Sequence, residues 1–154
     1  MRVMSQSKTL TVRWHRLLSN GQTCPRCGST GDEVEKAVTT LSQSLTPLGI
    51  VVVLEKGELS VEEFKQDTLR SNEIWIGGRL LEDWLGATTG QSECCDVCGP
   101  NDCRTVSVAG ESHEVIPAEL IVQAGLLAAA QLLGQEKCDR YPPAIWPGGG
   151  CCPK

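Results

Sequence analysis

Two cysteines separated by two residues are the first feature of this 154-residue sequence that can do chemistry. Cys24 and Cys27 follow a strand-like run and precede a helix-like run. Backbone N–H groups at the start of a helix favour negative charge, so a thiol placed there ionises readily, and the thiolate is the reactive form. Pro25 suits a first helical turn, and Arg26 adds positive charge. The pattern predicts a dithiol with Cys24 as the exposed nucleophile or first ligand and Cys27 as its resolving partner; half of a zinc ribbon is the alternative.

A second group of cysteines lies far along the chain. Its members, crowded within ten residues, are Cys94, Cys95, Cys98 and Cys103. Crowded thiolates repel one another unless a cation neutralises them, so this density predicts a metal site. Zinc, another soft metal ion and an iron–sulfur cluster all remain open as the bound group. Either these four thiols close a local site, or some of them join Cys24 and Cys27 in a composite site that only the fold can assemble.

A third pair ends the chain. Cys151 and Cys152 follow a proline- and glycine-rich stretch, residues 141–150, which predicts a flexible arm. A vicinal thiol pair on such an arm is suited to pass soft ions, such as mercury(II) or arsenic(III), to or from another dithiol, because thiolates exchange such ions rapidly. The alternative is an idle tail.

Composition excludes several classes of function. The net charge of −5, without any basic stripe, argues against a nucleic-acid partner. No apolar run reaches membrane-spanning length, and residues 1–8 lack the apolar core of a signal peptide. Nine cysteines in a chain expected to be cytoplasmic favour metal or redox chemistry over a disulfide framework. We therefore expect soft metal ions or thiol-containing proteins as partners.

The periodic spacing of apolar residues predicts the strands and the helix that must position the dithiol. Alternation over 10–18 predicts a half-buried strand, and helical spacing continues from the dithiol to Pro47. That helix begins at Pro25 or anew near Gly31, where Thr30 and Glu33 are spaced as a capping box. The β-branched run 50–54 predicts a strand buried on both faces and parallel to the first.

A short helix from Ser60 and a hairpin over 74–81 complete the order strand, helix, strand, helix, hairpin. That order, with Cys-Pro-x-Cys after the first strand, resembles the thioredoxin and glutaredoxin superfamily over residues 10–85; the hairpin is especially similar to that of glutaredoxin. The whole chain also resembles a cysteine-rich, thioredoxin-like prokaryotic family of unassigned function. The resemblance implies an α/β class: a three-layer sandwich with a mixed sheet.

The resemblance bears on the site in two ways. In glutaredoxin-like proteins the segment after the hairpin lies near the dithiol, which favours the composite layout of cysteines. The superfamily usually has a cis-proline before the third strand, facing the dithiol, whereas this chain has Ser71-Asn72-Glu73. Since that proline shapes substrate docking and keeps metals away, its replacement favours metal capture over plain disulfide reduction.

The rest of the chain departs from the superfamily plan. Residues 86–116 form a cysteine-rich insertion that includes a hairpin around Ala109-Gly110. A helix from Pro117 to Gly134 is apolar on nearly all sides, so it packs on the sheet or, alternatively, forms a homodimer interface. We expect one domain over 1–134, with the insertion at 86–116, and a flexible tail over 135–154.

These observations predict a thioredoxin-like dithiol protein that binds or relays soft metals or metalloids, as in heavy-metal resistance. Cys24 and Cys27 are its reactive pair, and the metal ligands are Cys94, Cys95, Cys98, Cys103, Cys151 and Cys152. One alternative is a thiol–disulfide oxidoreductase whose four-cysteine insertion holds structural zinc, and whether the dithiol turns over as a catalyst stays open. The other is an iron–sulfur electron-transfer protein.

Overall fold

The computed structural model describes residues 7–19, 21–93 and 101–140, and for 135–140 it describes the backbone alone. The strands are β1 (Lys8–Leu17), β2 (Ile50–Leu59), β3 (Ile74–Ile76), β4 (Arg79–Leu80), β5 (Thr88–Glu93), β6 (Asp102–Val108) and β7 (Glu111–His113). The α-helices are α1 (Pro25–Leu45), α2 (Val61–Gln66), α3 (Leu81–Leu85) and α4 (Ala118–Arg140), and 3-10 turns occupy Thr46–Leu48 and Thr68–Arg70.

The main sheet has the strand order β2-β1-β3-β4. β1 pairs in parallel with β2, from Lys8 opposite Ile50 to Leu17 opposite Leu59. β3 runs antiparallel to β1 and turns through Gly77-Gly78 into β4. This mixed sheet, with α1 as the crossover between the parallel strands, confirms the predicted thioredoxin-like α/β class.

One face of this sheet carries the core. Leu10, Val12 and Trp14 alternate along β1 and are buried. α1 passes so close to β1 that a Cβ on Gly31 would lie 2.6 Å from the Trp14 ring. Gly31 therefore permits close packing inside one continuous helix, and of the two predicted starts the one at Pro25 is confirmed, not the one near Gly31.

The prediction that β2 is buried on both faces is wrong. β2 is an edge strand, and its Val51 and Val53 side chains are 50% and 38% exposed. Alternate residues of a strand point to opposite faces of the sheet, so an apolar run does not by itself establish that both faces are covered. The predicted parallel pairing of this strand with β1 is confirmed.

The insertion forms a second antiparallel sheet in the order β5-β6-β7. Its predicted hairpin is present between β6 and β7, where Ala109 and Gly110 both have positive φ. α4 follows and continues to Arg140, beyond the predicted end at Gly134. None of the helices in the described part of the chain is both long enough and apolar enough to cross a membrane.

Candidate functional site: the Cys24–Cys27 turn and the second sheet

Cys24 is the N-cap residue of α1, with an extended backbone, and Pro25 is the first helical residue. The backbone N–H of Cys27 donates a hydrogen bond to Cys24 Sγ at 3.3 Å. Sulfur and helix N–H groups therefore meet as the sequence predicts, in a place where backbone dipoles favour a negative charge. Cys27 follows one turn later, and residues three apart on a helix are neighbours on its surface.

Both thiols of this pair are buried, with 0% of each residue exposed. The prediction that Cys24 is an exposed nucleophile is therefore wrong. The second sheet of the insertion is bonded to this turn, and Cys103 of β6 belongs to the same continuous core as Cys24 and Cys27, so both thiols face protein rather than solvent. The resemblance to glutaredoxin-like proteins implies closeness of the insertion to the dithiol but not that the dithiol is covered.

Arg26, between the two cysteines, binds the second sheet directly. Its guanidinium donates five hydrogen bonds of 2.8–3.3 Å. The acceptors are the Ser92 hydroxyl and the backbone carbonyls of Glu93, Cys103, Arg104 and Glu114. β5 and β6, which flank residues 94–100, are thus both bonded to the dithiol turn. From the sequence Arg26 was expected only to add charge, and its role as a connector was missed.

Of the six cysteines predicted as metal ligands, the structure describes Cys103, and the other five lie outside the described residues. Cys103 lies on β6 opposite Ser92 and is buried. Within the ranges 7–19, 21–93 and 101–140, no three His, Cys, Asp or Glu side chains come together as a metal-holding group. The predicted ligands outside the described residues are Cys94, Cys95, Cys98, Cys151 and Cys152.

A second arginine bonds the insertion to α3 and to the 3-10 turn Thr68–Arg70. Arg104 of β6 reaches Oε1 of Glu82 with Nε at 2.8 Å and Nη2 at 2.7 Å, and both side chains are 6% exposed. Its Nη1 also donates to the carbonyl of Leu69 at 2.7 Å. This buried ion pair was missed too; the available signal was a lone arginine inside the strand-like run 103–108.

The segment before β3, where the superfamily has its proline, is held by Asn72. Asn72 is buried with a φ of 60°, a left-handed conformation that asparagine tolerates better than most residues. Its Oδ1 accepts a hydrogen bond from Trp14 Nε1 at 3.2 Å, and its N–H donates to the carbonyl of His15 at 2.9 Å. The side chain of the core tryptophan therefore fixes this segment.

α1 also positions the start of α4. Thr30 Oγ1 accepts a hydrogen bond from the N–H of Ile116, and Glu33 Oε2 accepts one from the N–H of Ala118. The hydrogen bond from Lys36, helped by that of Ala118, lowers the pKa of the Glu33 carboxyl. The capping box of Thr30 and Glu33, which belonged to the alternative start near Gly31, does not form, because α1 has already begun at Pro25; the two side chains bond the residues at and just before the start of α4 instead.

Comparison with known proteins links the chain to proteins without an assigned activity. The family model for a domain of unknown function, DUF2703, matches residues 10–125, a range that includes the dithiol, the insertion and the first turns of α4. An uncharacterized protein of Archaeoglobus fulgidus is 52% identical over 112 residues, which cover 73% of this chain and 82% of that protein. No solved structure matches the chain.

Proposed function

The chain belongs to the DUF2703 family, and we propose that this member binds soft metal or metalloid ions through the Cys24 and Cys27 thiolates and passes them between cysteine pairs. One observation carries the proposal. A buried dithiol at a helix start is bonded, through Arg26, to both strands that flank the cysteine-rich segment.

The ligand set fits a soft ion. Thiolates prefer soft cations, whereas hard cations such as magnesium require oxygen ligands and keep much of their water. Cys24 and Cys27 lie one helical turn apart in a core that excludes water. Two thiolates in such a place suit a two-coordinate ion such as mercury(II), and a third thiol completes the coordination of arsenic(III).

Burial also favours an ion over a protein as the species that reaches the dithiol. Attack on a disulfide requires the nucleophilic sulfur to approach the disulfide bond of the substrate, and neither Cys24 nor Cys27 is exposed. An ion can be transferred instead from one thiolate to the next. In the proposed relay the insertion cysteines exchange ions with Cys24 and Cys27, and Cys151–Cys152 delivers or receives them.

The direct test is titration of the reduced protein with mercury(II) or arsenite under anaerobic conditions, followed by thiolate-to-metal absorption in the ultraviolet. A Cys24→Ser/Cys27→Ser variant is expected to bind one ion per chain fewer than the wild type. Cys138→Ser removes a thiol that the proposal does not use and serves as the matched control. Unchanged stoichiometry and affinity in the double variant would contradict the proposal.

A second function, thiol–disulfide exchange with zinc held in the insertion, is favoured by the N–H of Cys27 that points at Cys24 Sγ. In that reaction Cys24 thiolate attacks a disulfide and releases one thiol, Cys27 displaces the second, and an external dithiol restores the reduced pair. Insulin reduction with dithiothreitol tests it, because turnover that persists in Cys24→Ser excludes this dithiol as the catalyst. Elemental analysis of anaerobically purified protein separates bound zinc from iron and sulfide.

A further inference from the structure

We propose that Arg26 determines which substrates reach the dithiol, because it holds the second sheet against the turn and so admits small ions while keeping protein disulfides out. This inference rests on the proposed function, since it names the residue that makes the same dithiol selective. Arg26 acts as a positioning residue: its contacts are with the sheet, and the thiols on either side of it do the chemistry.

The guanidinium of Arg26 is fully used in this contact. An arginine offers five N–H donors, and here each has one acceptor: Nε binds one, and Nη1 and Nη2 bind two each. Four of the acceptors are backbone carbonyls, whose positions follow the backbone of β5, β6 and the segment after β7. The side chain is only 9% exposed. Such a contact specifies the position of the sheet rather than merely adding attraction.

The position of Arg26 links this contact to the thiols. It lies between Cys24 and Cys27 in the chain, and it bonds the carbonyl of Cys103, whose side chain shares the core with both cysteines, so movement of the sheet away from Arg26 withdraws this part of β6 from that core. The Glu114 carboxylate lies 3.9 Å from Nη1 of Arg26, and the Glu114 side chain is 62% exposed. Water screens an exposed carboxylate, so this ion pair adds little to the hold of the four carbonyl acceptors and the hydroxyl acceptor on Arg26.

Arg104 anchors β6 in the core, so that separation of the second sheet from Arg26 does not spread to the rest of the sheet. Its carbonyl accepts from Arg26, whereas its side chain is bound to Glu82 and Leu69 in the core. Loss of the Arg26 contact therefore releases the part of the sheet that faces the dithiol while β6 stays anchored. We expect such a variant to expose the thiols without unfolding.

The experiment compares Arg26→Gln and Arg26→Lys with the wild type as reduced, metal-free protein. Alkylation of Cys24 by iodoacetamide is followed by mass spectrometry, and insulin reduction is measured with dithiothreitol as the source of electrons. Reaction of a buried thiol follows the population of the locally open state, so Arg26→Gln is expected to react at least about tenfold faster and to gain insulin reduction. Arg26→Lys, with three donors that cannot match the carbonyls, is expected to fall between the two.

Two controls separate access from stability. Arg13→Gln removes an exposed arginine paired with Glu55, and Ile50→Val weakens the core at the opposite end of β1 from the dithiol. Neither is expected to accelerate alkylation of Cys24. Equal rates in wild type and Arg26→Gln, or an equal acceleration in Ile50→Val, would overturn the inference. Because no metal is present, failure of the ion titration leaves this result unaffected.

Discussion

The buried pair of Arg104 and Glu82 gives the sharpest test of how the second sheet is held. Replacing Arg104 by Met keeps a long apolar side chain but removes the guanidinium that contacts Glu82 Oε1 at 2.7 Å. Both side chains are 6% exposed, so water cannot replace the lost cation. The substitution therefore leaves a carboxylate in the core without its counter-charge.

The expected cost follows from these contacts. Removing one partner of a buried ion pair typically costs about 3–5 kcal/mol. Thr89 Oγ1 remains 3.3 Å from Glu82 Oε1 and can still donate to it, which places the cost near the lower end, at about 3 kcal/mol. Arg104→Met/Glu82→Leu removes the isolated charge as well, so its stability is expected within about 1 kcal/mol of the wild type.

Urea unfolding followed by tryptophan fluorescence measures these differences, provided that the slope of the free energy against urea is unchanged. The control is Arg13→Met, which breaks the exposed pair with Glu55 and is expected to cost less than about 1 kcal/mol. If Arg104→Met costs no more than Arg13→Met, or if the double variant is no more stable than Arg104→Met, the pair does not hold the sheet as described.

Two further predictions concern α1. The pKa of Glu33 is lowered in the folded protein, so its charge stabilises the fold above the unfolded pKa, about 4.3, and this stabilisation is lost as the pH falls through the folded value. Glu33→Gln is therefore expected to be less stable by about 0.3–1 kcal/mol at pH 7, and this difference is expected to shrink as the pH falls below about 4.3 in urea unfolding; a pH-independent difference would contradict this. Gly31→Ala improves helix propensity but places a Cβ within 2.6 Å of the Trp14 ring, which is fixed by its hydrogen bond to Asn72. We therefore expect the free energy of unfolding to fall by about 1–2 kcal/mol. A rise in melting temperature would refute the packing argument.

The sequence predicts those parts of the fold that depend on residues close together in the chain. β1 has alternating side chains, α1 begins with a proline after an N-cap residue, and the turn between β3 and β4 needs two residues of positive φ, which Gly77 and Gly78 supply. The placement of Cys24 at the start of α1 follows from the same local signals. Each of these features is encoded within a few residues of where it occurs.

The parts that sequence did not predict depend on contacts between distant segments. The exposure of Val53 depends on which side of the sheet the helices cover, and the burial of Cys24 depends on a sheet formed some 65 residues later. The role of Arg26 requires its acceptors on β5 and β6 to be known. Periodicity and spacing carry no information on such pairs, so the position of the Cys24–Cys27 motif at the start of α1 was predicted, while its burial was not.

The segment before β3, which faces the dithiol in thioredoxin-like proteins, bears on the proposed choice of an ion over a protein as substrate. An extended peptide docks on a protein edge through backbone groups that have no other partner. Here the N–H groups of Ser71, Asn72 and Glu73 donate to the carbonyls of Thr68, His15 and Arg70, at 3.4, 2.9 and 3.4 Å, and the carbonyl of Glu73 accepts from His15. The backbone donors that would pair with a substrate chain are thus used within the fold, and the second sheet packs against the dithiol turn. Both features disfavour docking of a protein disulfide, and they therefore favour the proposed transfer of an ion from thiol to thiol over reduction of a protein substrate.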